Sequence, residues 1–291
     1  MDELKFEQSL VRVLLRDQHP DLADLELRDV NGGWDNQMWR LGDELAVRLP
    51  RTERAPVLLR REQKWLPVLA ERLPLPTPVP VRLGEPSSLF ERTWTITRWV
   101  DGEPADRAPV TRVDAAEVLA GFLRALHHRA PADAPTNPTR GVPLADVHEE
   151  FGSWIKVINH RADQAREVWE KAVAAPAWQG APLWLHGDLH PANVVTGDGM
   201  LAGVIDFGDM GVGDPATDLS AAWIVLPAGA AGRFFDAYEL ADEATIARAR
   251  GWAVARALHL IAIGERGRLG LLGGKPTWEP AGYATLDRAL A

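Results

Sequence analysis

Two consecutive segments, Leu183–Val195 and Val204–Asp209, constrain this chain most. Each reads as short apolar strands that lead into a polar loop. The loops carry three oxygen-bearing side chains, Asp188, Asn193 and Asp206. Asp and Asn are common in turns, but two such loops in tandem, each bounded by Val, Ile or Leu, indicate a site. Carboxylate and amide oxygens suit a hard cation such as Mg²⁺, and they leave one carboxylate to orient a hydroxyl group.

The order of these residues favours phosphoryl transfer. Asp188 follows His186 in the first loop, Asn193 closes that loop, and Asp206 begins the second. A loop aspartate can accept the proton of an attacking hydroxyl, while the asparagine oxygen and a second aspartate can hold Mg²⁺ that bridges nucleotide phosphates. The catalytic and metal-binding loops of protein kinases carry the same functional residues in a slightly different sequence motif.

Composition narrows the class of protein. The chain has 46% hydrophobic and 25% charged residues, typical of a soluble globular protein. It has no cysteine, which favours a reducing cytoplasm and excludes thiolate metal sites. The longest apolar run, Leu219–Gly232, is too short and broken to span a membrane. A net charge of -9 disfavours nucleic acid as a partner and permits a cationic substrate.

The order of predicted elements divides the chain into two lobes. The first contains helices at 2–18 and 60–73 and strands ending at Val30, at 37–41, 44–49, 79–83 and 93–100. After Asp101–Pro104 the pattern becomes mainly helical, with helices at 114–129, within 144–175, and at 217–225, 232–240, 243–264 and 281–290. We therefore expect an α+β fold with an N-terminal antiparallel-sheet lobe at 1–99 and a larger, mainly helical C-terminal lobe at 100–291.

The chain resembles the aminoglycoside phosphotransferase family, which has a bilobal protein-kinase-like fold. The residues that carry the resemblance are His186-Gly-Asp188, Asn193, Ile205-Asp206, Asp214-Pro215 and Asp218-Leu219. The resemblance implies that Asp188 is the catalytic base and that Asn193 and Asp206 are Mg²⁺ ligands. It also implies ATP or GTP as the co-substrate, held by the N-terminal lobe.

The phosphate-binding residues are predicted from the first lobe. The loop Asn31–Asn36 could lay backbone N–H groups over phosphates, so Gly33, Trp34 and Asn36 are candidates. A kinase-like strand usually carries lysine where this chain has Arg48, and Glu62 lies on the next helix. We read Arg48 as the phosphate-binding cation and Glu62 as its partner, because guanidinium binds both phosphate and carboxylate. The replacement of lysine also raises a weakened or inactive kinase as an alternative.

The remaining candidates concern the base of the nucleotide and the acceptor. In this resemblance Thr97–Gly102 is the hinge that meets the purine edge, which makes Trp99 and Val100 candidates for the adenine pocket. Three carboxylates are candidates for a cationic substrate, although a solvated surface explains them equally well: Asp209, Glu150 and Glu265.

The sequence therefore predicts a Mg²⁺-dependent kinase of small molecules. Only Gly208–Gly213 separates the metal loop from Asp214, which leaves no room for the activation segment of a protein kinase. We favour an aminoglycoside or similar antibiotic as acceptor, with a metabolite such as homoserine, choline or a sugar as the alternative. Two other classes stay open. One is a nucleotide-binding protein without catalysis. The other is a metal-dependent hydrolase that uses His186, Asp188, His190 and Asp206.

Overall fold

A computed structural model describes residues 5–30 and 33–291, and these fall into two compact units. The first unit consists of three pieces of chain: the described residues up to Glu71, Pro76–Asp101 and Ile205–Gly208. The second unit consists of Arg72–Leu75, Gly102–Val204 and Asp209–Ala291.

An antiparallel sheet forms the first unit. Its strands, hydrogen-bonded in the order β1-β2-β3-β5-β4, are β1 (Leu27–Val30), β2 (Asn36–Leu41), β3 (Leu45–Pro50), β4 (Pro80–Gly84) and β5 (Trp94–Arg98). Gly42 adopts a φ of 60° in the turn that joins β2 to β3, where Leu41 pairs with Leu45. This turn fixes the register, so that Arg48 pairs with Met38 in β2 and with Thr95 in β5.

Two helices accompany this sheet, α1 (Gln8–Gln18) and α2 (Ala55–Ala70). Apolar residues of α1 recur at helical spacing, and Val11, Leu14 and Leu15 join one buried cluster with Trp39 and Trp94 of the sheet. Helix α2 begins five residues before the predicted start at residue 60, and it continues through Pro67. Proline costs one backbone hydrogen bond there, close to the end of the helix, where the loss interrupts only the last turn.

Short antiparallel strands form two small sheets in the second unit. One has the order β6-β8-β9 and the other pairs β7 with β10. Their bounds are β6 (Glu103–Pro104), β7 (Leu183–Leu185), β8 (Val194–Gly197), β9 (Met200–Val204) and β10 (Gly211–Gly213). The two candidate loops predicted from the sequence begin where β7 and β9 end, so the sheets fix both ends of the polar segments.

Helices make up most of the second unit. They are α3 (Ala115–Leu126), α4 (His148–Trp154), α5 (Ala162–Ala174), α6 (Ala216–Leu219), α7 (Ala221–Ile224), α8 (Ala230–Tyr238), α9 (Glu243–Arg268) and α10 (Trp278–Leu290). Single turns of 3-10 helix lie at Pro20–Leu22, Leu144–Val147, Ile155–Val157, Pro191–Asn193 and Phe207–Asp209. Helix α9 packs against both α5 and α10 and is buried on most of its circumference.

The fold confirms the predicted α+β class, with an antiparallel sheet followed by a mainly helical region. Individual bounds differ by a few residues, and the largest differences have simple causes. The region 144–175, predicted to hold one or two helices, contains two α-helices, with the 3-10 turn Ile155–Val157 between them. Helix α10 starts at Trp278, three residues before the predicted start at residue 281. Within residues 5–30 and 33–291, no helix is long and apolar enough to cross a bilayer.

Candidate active site

A buried ion pair lies at the centre of the first unit. Arg48 projects from β3 and its Nη1 donates to Oε2 of Glu62 on α2. The Arg48 side chain is 7% exposed and the Glu62 side chain 1%. Arg48 Nη2 also lies 4.0 Å from Oδ1 of Asp206, whose side chain is 52% exposed. The strand, the helix and the loop predicted from the sequence therefore bring these three residues together.

Electrostatics explain why this arginine stays charged. Burial alone would lower the pKa of Arg48, but Glu62 and Asp206 raise it above its ordinary value. Burial raises the pKa of Glu62 even though Arg48 opposes the shift. In the part of the chain that the structure describes, Arg48 Nε and Glu62 Oε1 are buried without a hydrogen-bond partner. Since unpaired buried polar groups are costly, an arginine N–H that faces no protein acceptor is a ready donor for an anionic ligand.

The short segment Ile205–Gly208 supplies Asp206 to the first unit. Asp206 has a φ of 62°, a left-handed conformation that Asp tolerates better than most residues. The backbone of Phe207 hydrogen-bonds to the Glu62 carboxylate. A Cβ on Gly208 would lie 3.1 Å from Cβ of Leu58 on α2, so this position needs a very small residue. Packing on α2 therefore fixes the position of Asp206.

The predicted phosphate loop is only partly described, since residues 31 and 32 lie outside the described residues. Gly33 has a φ of 73°, and a Cβ there would come within 2.4 Å of the Asn36 carbonyl oxygen. Trp34 is 42% exposed, whereas Asn36 is buried and its Oδ1 has no hydrogen-bond partner in the described chain. The positive φ of Gly33 fits a tight turn. A role for Gly33, Trp34 and Asn36 in nucleotide binding stays a prediction.

The hinge candidates lie at the end of β5. The backbone N–H of Trp99 donates to the Glu44 carbonyl oxygen at 2.7 Å, so that N–H is already engaged. Its ring stacks under the guanidinium of Arg40, 4.9 Å from ring centroid to Cζ. Val100 is buried. If these residues contact a purine, they do so through the Trp99 ring and the Val100 side chain rather than through the Trp99 N–H.

In the second unit, one buried carboxylate fixes the loop that carries Asp188. Asp218 of α6 accepts the backbone N–H groups of His186 at 2.7 Å and Gly187 at 2.8 Å. His127 lies 3.3 Å from the same carboxylate. Burial alone would raise the pKa of Asp218, but the bond from His127 and these neighbours hold it below its usual range. An ionised acceptor that binds two successive N–H groups orients the loop strongly.

Three cationic or basic side chains surround the Asp188 carboxylate. Arg256 Nη1 lies 2.9 Å and Arg140 Nη2 3.2 Å from Oδ1, and His190 Nε2 lies 3.3 Å from Oδ2. Burial alone would raise the pKa of Asp188, but Arg256, His190 and Arg140 together hold it well below its usual range. Asp188 is therefore ionised at neutral pH, as a residue that accepts a hydrogen bond from a substrate hydroxyl must be.

Asn193 is placed by the same loop. Its Nδ2 donates to the Asp188 backbone oxygen at 3.0 Å and to Asp188 Oδ2 at 3.3 Å. Since the amide nitrogen is engaged, the amide oxygen is the atom left to ligate a cation. An amide oxygen is a ligand type that Mg²⁺ accepts, since this ion usually takes few protein ligands and completes its shell with phosphate and water. A Mg²⁺ site that joins Asn193 to Asp206 stays a prediction. Among the described residues, no group of three or more His, Asp or Glu side chains is placed to hold a metal, as the hydrolase alternative requires.

The carboxylates predicted to face a cationic substrate are scattered. Asp209 lies beside the catalytic loop, where its backbone oxygen is 2.7 Å from a Cβ position built on Gly187. Glu150 is exposed on α4. Glu265 is exposed on α9 and lies 3.7 Å from Arg268. The structure therefore brings only Asp209 near the loop of Asp188, and the roles of all three remain predictions.

Sequence reasoning missed Arg140 and Arg256. A signal for Arg256 existed, because it interrupts a run of apolar residues in a helix that is otherwise buried there. Arg140 lies in an irregular segment and offered no pattern. Asp218 was matched by its motif, but its hydrogen bonds to the catalytic loop could not be foreseen without the fold.

The comparison with known proteins now identifies the family. The model of the phosphotransferase enzyme family, APH, matches residues 26–258, which is most of the chain. The chain therefore belongs to this family, as the sequence motifs predicted. The matched range contains both candidate loops and the Arg48–Glu62 pair.

Two relatives show how distant the similarity is. The chain is 26% identical to an aminoglycoside 3'-phosphotransferase from Escherichia coli over 168 residues, covering 53% of this chain and 59% of that protein. It is 30% identical to viomycin phosphotransferase from Streptomyces vinaceus over 158 residues, covering 50% of this chain and 54% of that protein. The chain thus matches little more than half the length of these relatives.

Solved structures show the same fold along nearly the whole chain. The GDP complex of aminoglycoside 2'-phosphotransferase-IIIa superposes with a TM-score of 0.71 at 17% identity, covering 98% of this chain and 99% of that one. Macrolide 2'-phosphotransferase MphH from Brachybacterium faecium superposes with a TM-score of 0.64 at 20% identity, covering 96% and 97%. The fold is thus that of the kinase-like aminoglycoside phosphotransferases.

Proposed function

We propose that this protein transfers the γ-phosphate of a nucleoside triphosphate, ATP or GTP, to a hydroxyl group of a small molecule. The observation that carries the proposal is the buried Arg48, which lies against Glu62 and near Asp206. Its Nε has no hydrogen-bond acceptor among residues 5–30 and 33–291. Phosphoryl transfer needs chiefly positioning and charge neutralisation. A cation fixed by a buried carboxylate supplies both, and membership of the phosphotransferase family supports the same reaction.

Each residue then has a defined task. Arg48 binds phosphate oxygens, and Glu62 holds the guanidinium in place. Asp188 accepts the hydrogen bond of the acceptor hydroxyl and takes its proton as the oxygen bonds to the γ-phosphorus. The bond from that phosphorus to the bridging oxygen breaks, and the electron pair leaves on the nucleoside diphosphate. Asn193 and Asp206 would ligate Mg²⁺, which when bound would neutralise charge on the phosphates.

Kinship suggests which acceptors to test first. The relatives are named for aminoglycosides and viomycin, and a structural neighbour for macrolides. An antibiotic hydroxyl, phosphorylated as a means of resistance in the cytoplasm, is therefore the first acceptor class. A small metabolite such as homoserine, choline or a sugar is the second, and the arginines around Asp188 favour a particular kind of metabolite, as argued below.

Nucleotide consumption tests the reaction directly. The purified protein is incubated with ATP or GTP, Mg²⁺ and one acceptor at a time from a panel of aminoglycosides, viomycin, macrolides and small hydroxyl metabolites. The masses of the products are measured by mass spectrometry. We expect one acceptor to gain a single phosphate, with Asp188→Asn as the inactive control. Nucleotide binding without phosphate transfer to any hydroxyl compound would support the non-catalytic alternative. Hydrolysis that depends on zinc or manganese and needs no nucleotide would support the hydrolase.

A further inference from the structure

The described neighbours of the Asp188 carboxylate carry more positive charge than one carboxylate balances. Arg140 and Arg256 both reach the same oxygen, Oδ1, at 3.2 and 2.9 Å. The two side chains are 24% and 18% exposed, so neither is a freely solvated surface arginine. They come from distant parts of the second unit, one from the segment before the Leu144–Val147 turn and one from the middle of α9.

The hydrogen-bonding capacity of these arginines is only partly used. Arg140 Nε is buried and has no hydrogen-bond partner in the part of the chain that the structure describes. Its Nη1 makes only long contacts with Thr139, at 3.3 and 3.4 Å. A guanidinium has five N–H donors in a planar fork that matches carboxylate or phosphate. The geometry therefore leaves donors beside Asp188 for a second anion.

The charges around the pair are balanced. Burial and the charge of Arg140 lower the pKa of Arg256, although Asp188 and Asp209 oppose the shift. Burial, Arg256 and Arg140 lower the pKa of His259 to about 4, so this imidazole is neutral. The Asp209 carboxylate, the other anion felt by Arg256, accepts a hydrogen bond from Asn137 at 3.3 Å. Two arginines thus face two carboxylates, and a second anion would be held by unused arginine donors and not by a net positive charge.

We propose that Arg140 and Arg256 form an anion-binding subsite, and that the acceptor carries a carboxylate or phosphate group close to the hydroxyl that is phosphorylated. This inference rests on the proposed phosphotransferase function and names its substrate class. Both arginines pair with Asp188 in this structure. A substrate anion would compete for their donors and free Oδ1 of Asp188 to accept the substrate hydroxyl. The same arginines disfavour a polycationic aminoglycoside at this point.

Aromatic rings pack on the two histidines near the arginine pair. His190, which contacts Asp188, packs against the ring of Trp278 at 4.6 Å between centroids. His259 packs against Trp154 at 4.3 Å. The two arginines set the class of acceptor, because their planar forks match a carboxylate or a phosphate. The expected acceptor is therefore a hydroxy acid or a phosphorylated polyol.

Matched pairs of acceptors test the proposal. Glycerate and glycerol, and gluconate and sorbitol, differ by one carboxylate. Two further pairs differ by one phosphate: glycerol 3-phosphate with glycerol, and glucose 6-phosphate with glucose. Kanamycin is the cationic acceptor. We expect kcat/KM for the preferred anionic acceptor to exceed that of its uncharged partner at least 10-fold. Whether this acceptor is a carboxylate or a phosphate compound shows which of the two anionic groups the subsite binds. A preference for an uncharged or cationic acceptor would overturn the proposal.

Two variants separate charge recognition from a structural role. Arg256→Gln and Arg140→Gln should each raise the KM of the anionic acceptor at least 10-fold, with little change in the KM of the nucleotide. Loss of the subsite should make kcat/KM nearly equal for the charged and uncharged members of a pair. Damage to the fold would instead lower kcat/KM for both members by the same factor. Arg268→Gln, on the exposed end of the same helix and paired with Glu279, is the control and should keep the preference.

Calorimetry measures acceptor binding without turnover, so it tests the anion-binding subsite separately from the phosphotransferase reaction. Absence of turnover with every acceptor would count against the proposed function alone. Each anionic probe and its uncharged partner are then titrated into the full chain, in the presence of Mg²⁺ and a non-hydrolysable ATP analogue. Binding of an anionic probe that is lost in Arg256→Gln supports the subsite. Equal binding of both members, or binding unchanged in the variant, refutes it.

Discussion

Replacing Arg48 with Met should make the stability of the first unit depend on pH. Without Arg48, Glu62 stays buried, with a side chain 1% exposed, and has lost its counter-ion. Burial already raises the pKa of Glu62 in the folded state, and removal of the opposing arginine raises it further. The carboxyl then avoids an unpaired charge by binding a proton, which the unfolded chain does not bind at neutral pH.

The sign and size of the effect follow from linkage. A group with a raised folded pKa contributes stability that is fully present below its unfolded value and is lost as pH rises through its folded value. Between the unfolded value, about pH 4.3, and the raised folded value, the loss is about 1.4 kcal/mol per pH unit. For each pH unit within this window, Arg48→Met should therefore lose about 1.4 kcal/mol of unfolding free energy.

The matched control is the double variant Arg48→Met/Glu62→Gln. It has the same packing around residue 48 but cannot titrate at residue 62. The contributions of all other ionisable groups therefore cancel when the unfolding free energy of one variant is subtracted from that of the other. Urea unfolding of the full chain, followed by its tryptophan fluorescence, measures the free energy of unfolding of both variants. A slope below about 0.5 kcal/mol per pH unit in the difference would refute the reasoning. Glu62→Gln alone leaves a permanent buried cation and should lose about 3–5 kcal/mol without that slope.

Activity should separate from stability in the same series. We expect the double variant to regain part of the stability lost in the single variants, because paired removal of a buried ion pair is often nearly neutral. Its kcat/KM for the nucleotide should nevertheless stay about 10²–10³-fold below wild type, the usual cost of losing one donor to developing charge. A double variant with wild-type turnover would show that Arg48 binds no phosphate.

Three further predictions concern the second unit. The pKa of Asp188 lies well below its usual range, so Asp188 should stay ionised and kcat/KM for the preferred acceptor should be constant from about pH 8 down to about pH 5. A fall in kcat/KM within that range that is traced to protonation of Asp188 would contradict the geometry. Asp218→Asn puts an amide where two backbone N–H groups need an acceptor, so we expect a loss of about 1–3 kcal/mol in urea unfolding and up to about 10²-fold in kcat. Asn193→Ala should raise the Mg²⁺ concentration for half-maximal rate by about 10-fold or more, and a chelator should abolish transfer in both proteins; an unchanged Mg²⁺ requirement would remove Asn193 as a ligand.

Local patterns were sufficient to predict the order of elements and the two polar loops. Alternation of apolar residues located the strands of the sheet, and the tight turn at Gly42 set the register that places Arg48 toward α2. The pairing of Arg48 with Glu62 was predicted from the resemblance to kinase-like proteins, in which a strand cation pairs with a glutamate of the next helix. The start of α2 at Ala55 was missed, since its N-cap residue, Arg54, makes no side-chain capping bond and so gives no start signal.

The surroundings of Asp188 could not be predicted, for a physical reason. Its partners Arg140 and Arg256 are separated from it by 48 and 68 positions in the numbering, and no local period relates them. The expected acidic surroundings were inferred from net charge, which is an average over the surface. The sign of the field at one atom depends on the few charges within a Debye length of about 8–10 Å, and those come from tertiary packing.

The segment Ile205–Gly208 has a consequence for synthesis of the chain. The first unit needs these four residues to place Asp206 beside Arg48 and Gly208 on Leu58, yet they follow Asp101 by about a hundred residues. A ribosome releases the sheet and α2 long before it makes this piece. Until then the nascent N-terminal unit lacks the contacts of Leu58 and Glu62 with residues 207 and 208, and Arg48 lacks one counter-charge. Separate expression of the residues up to Asp101 should yield an aggregation-prone fragment, and a fusion that restores Ile205–Gly208 should improve its solubility.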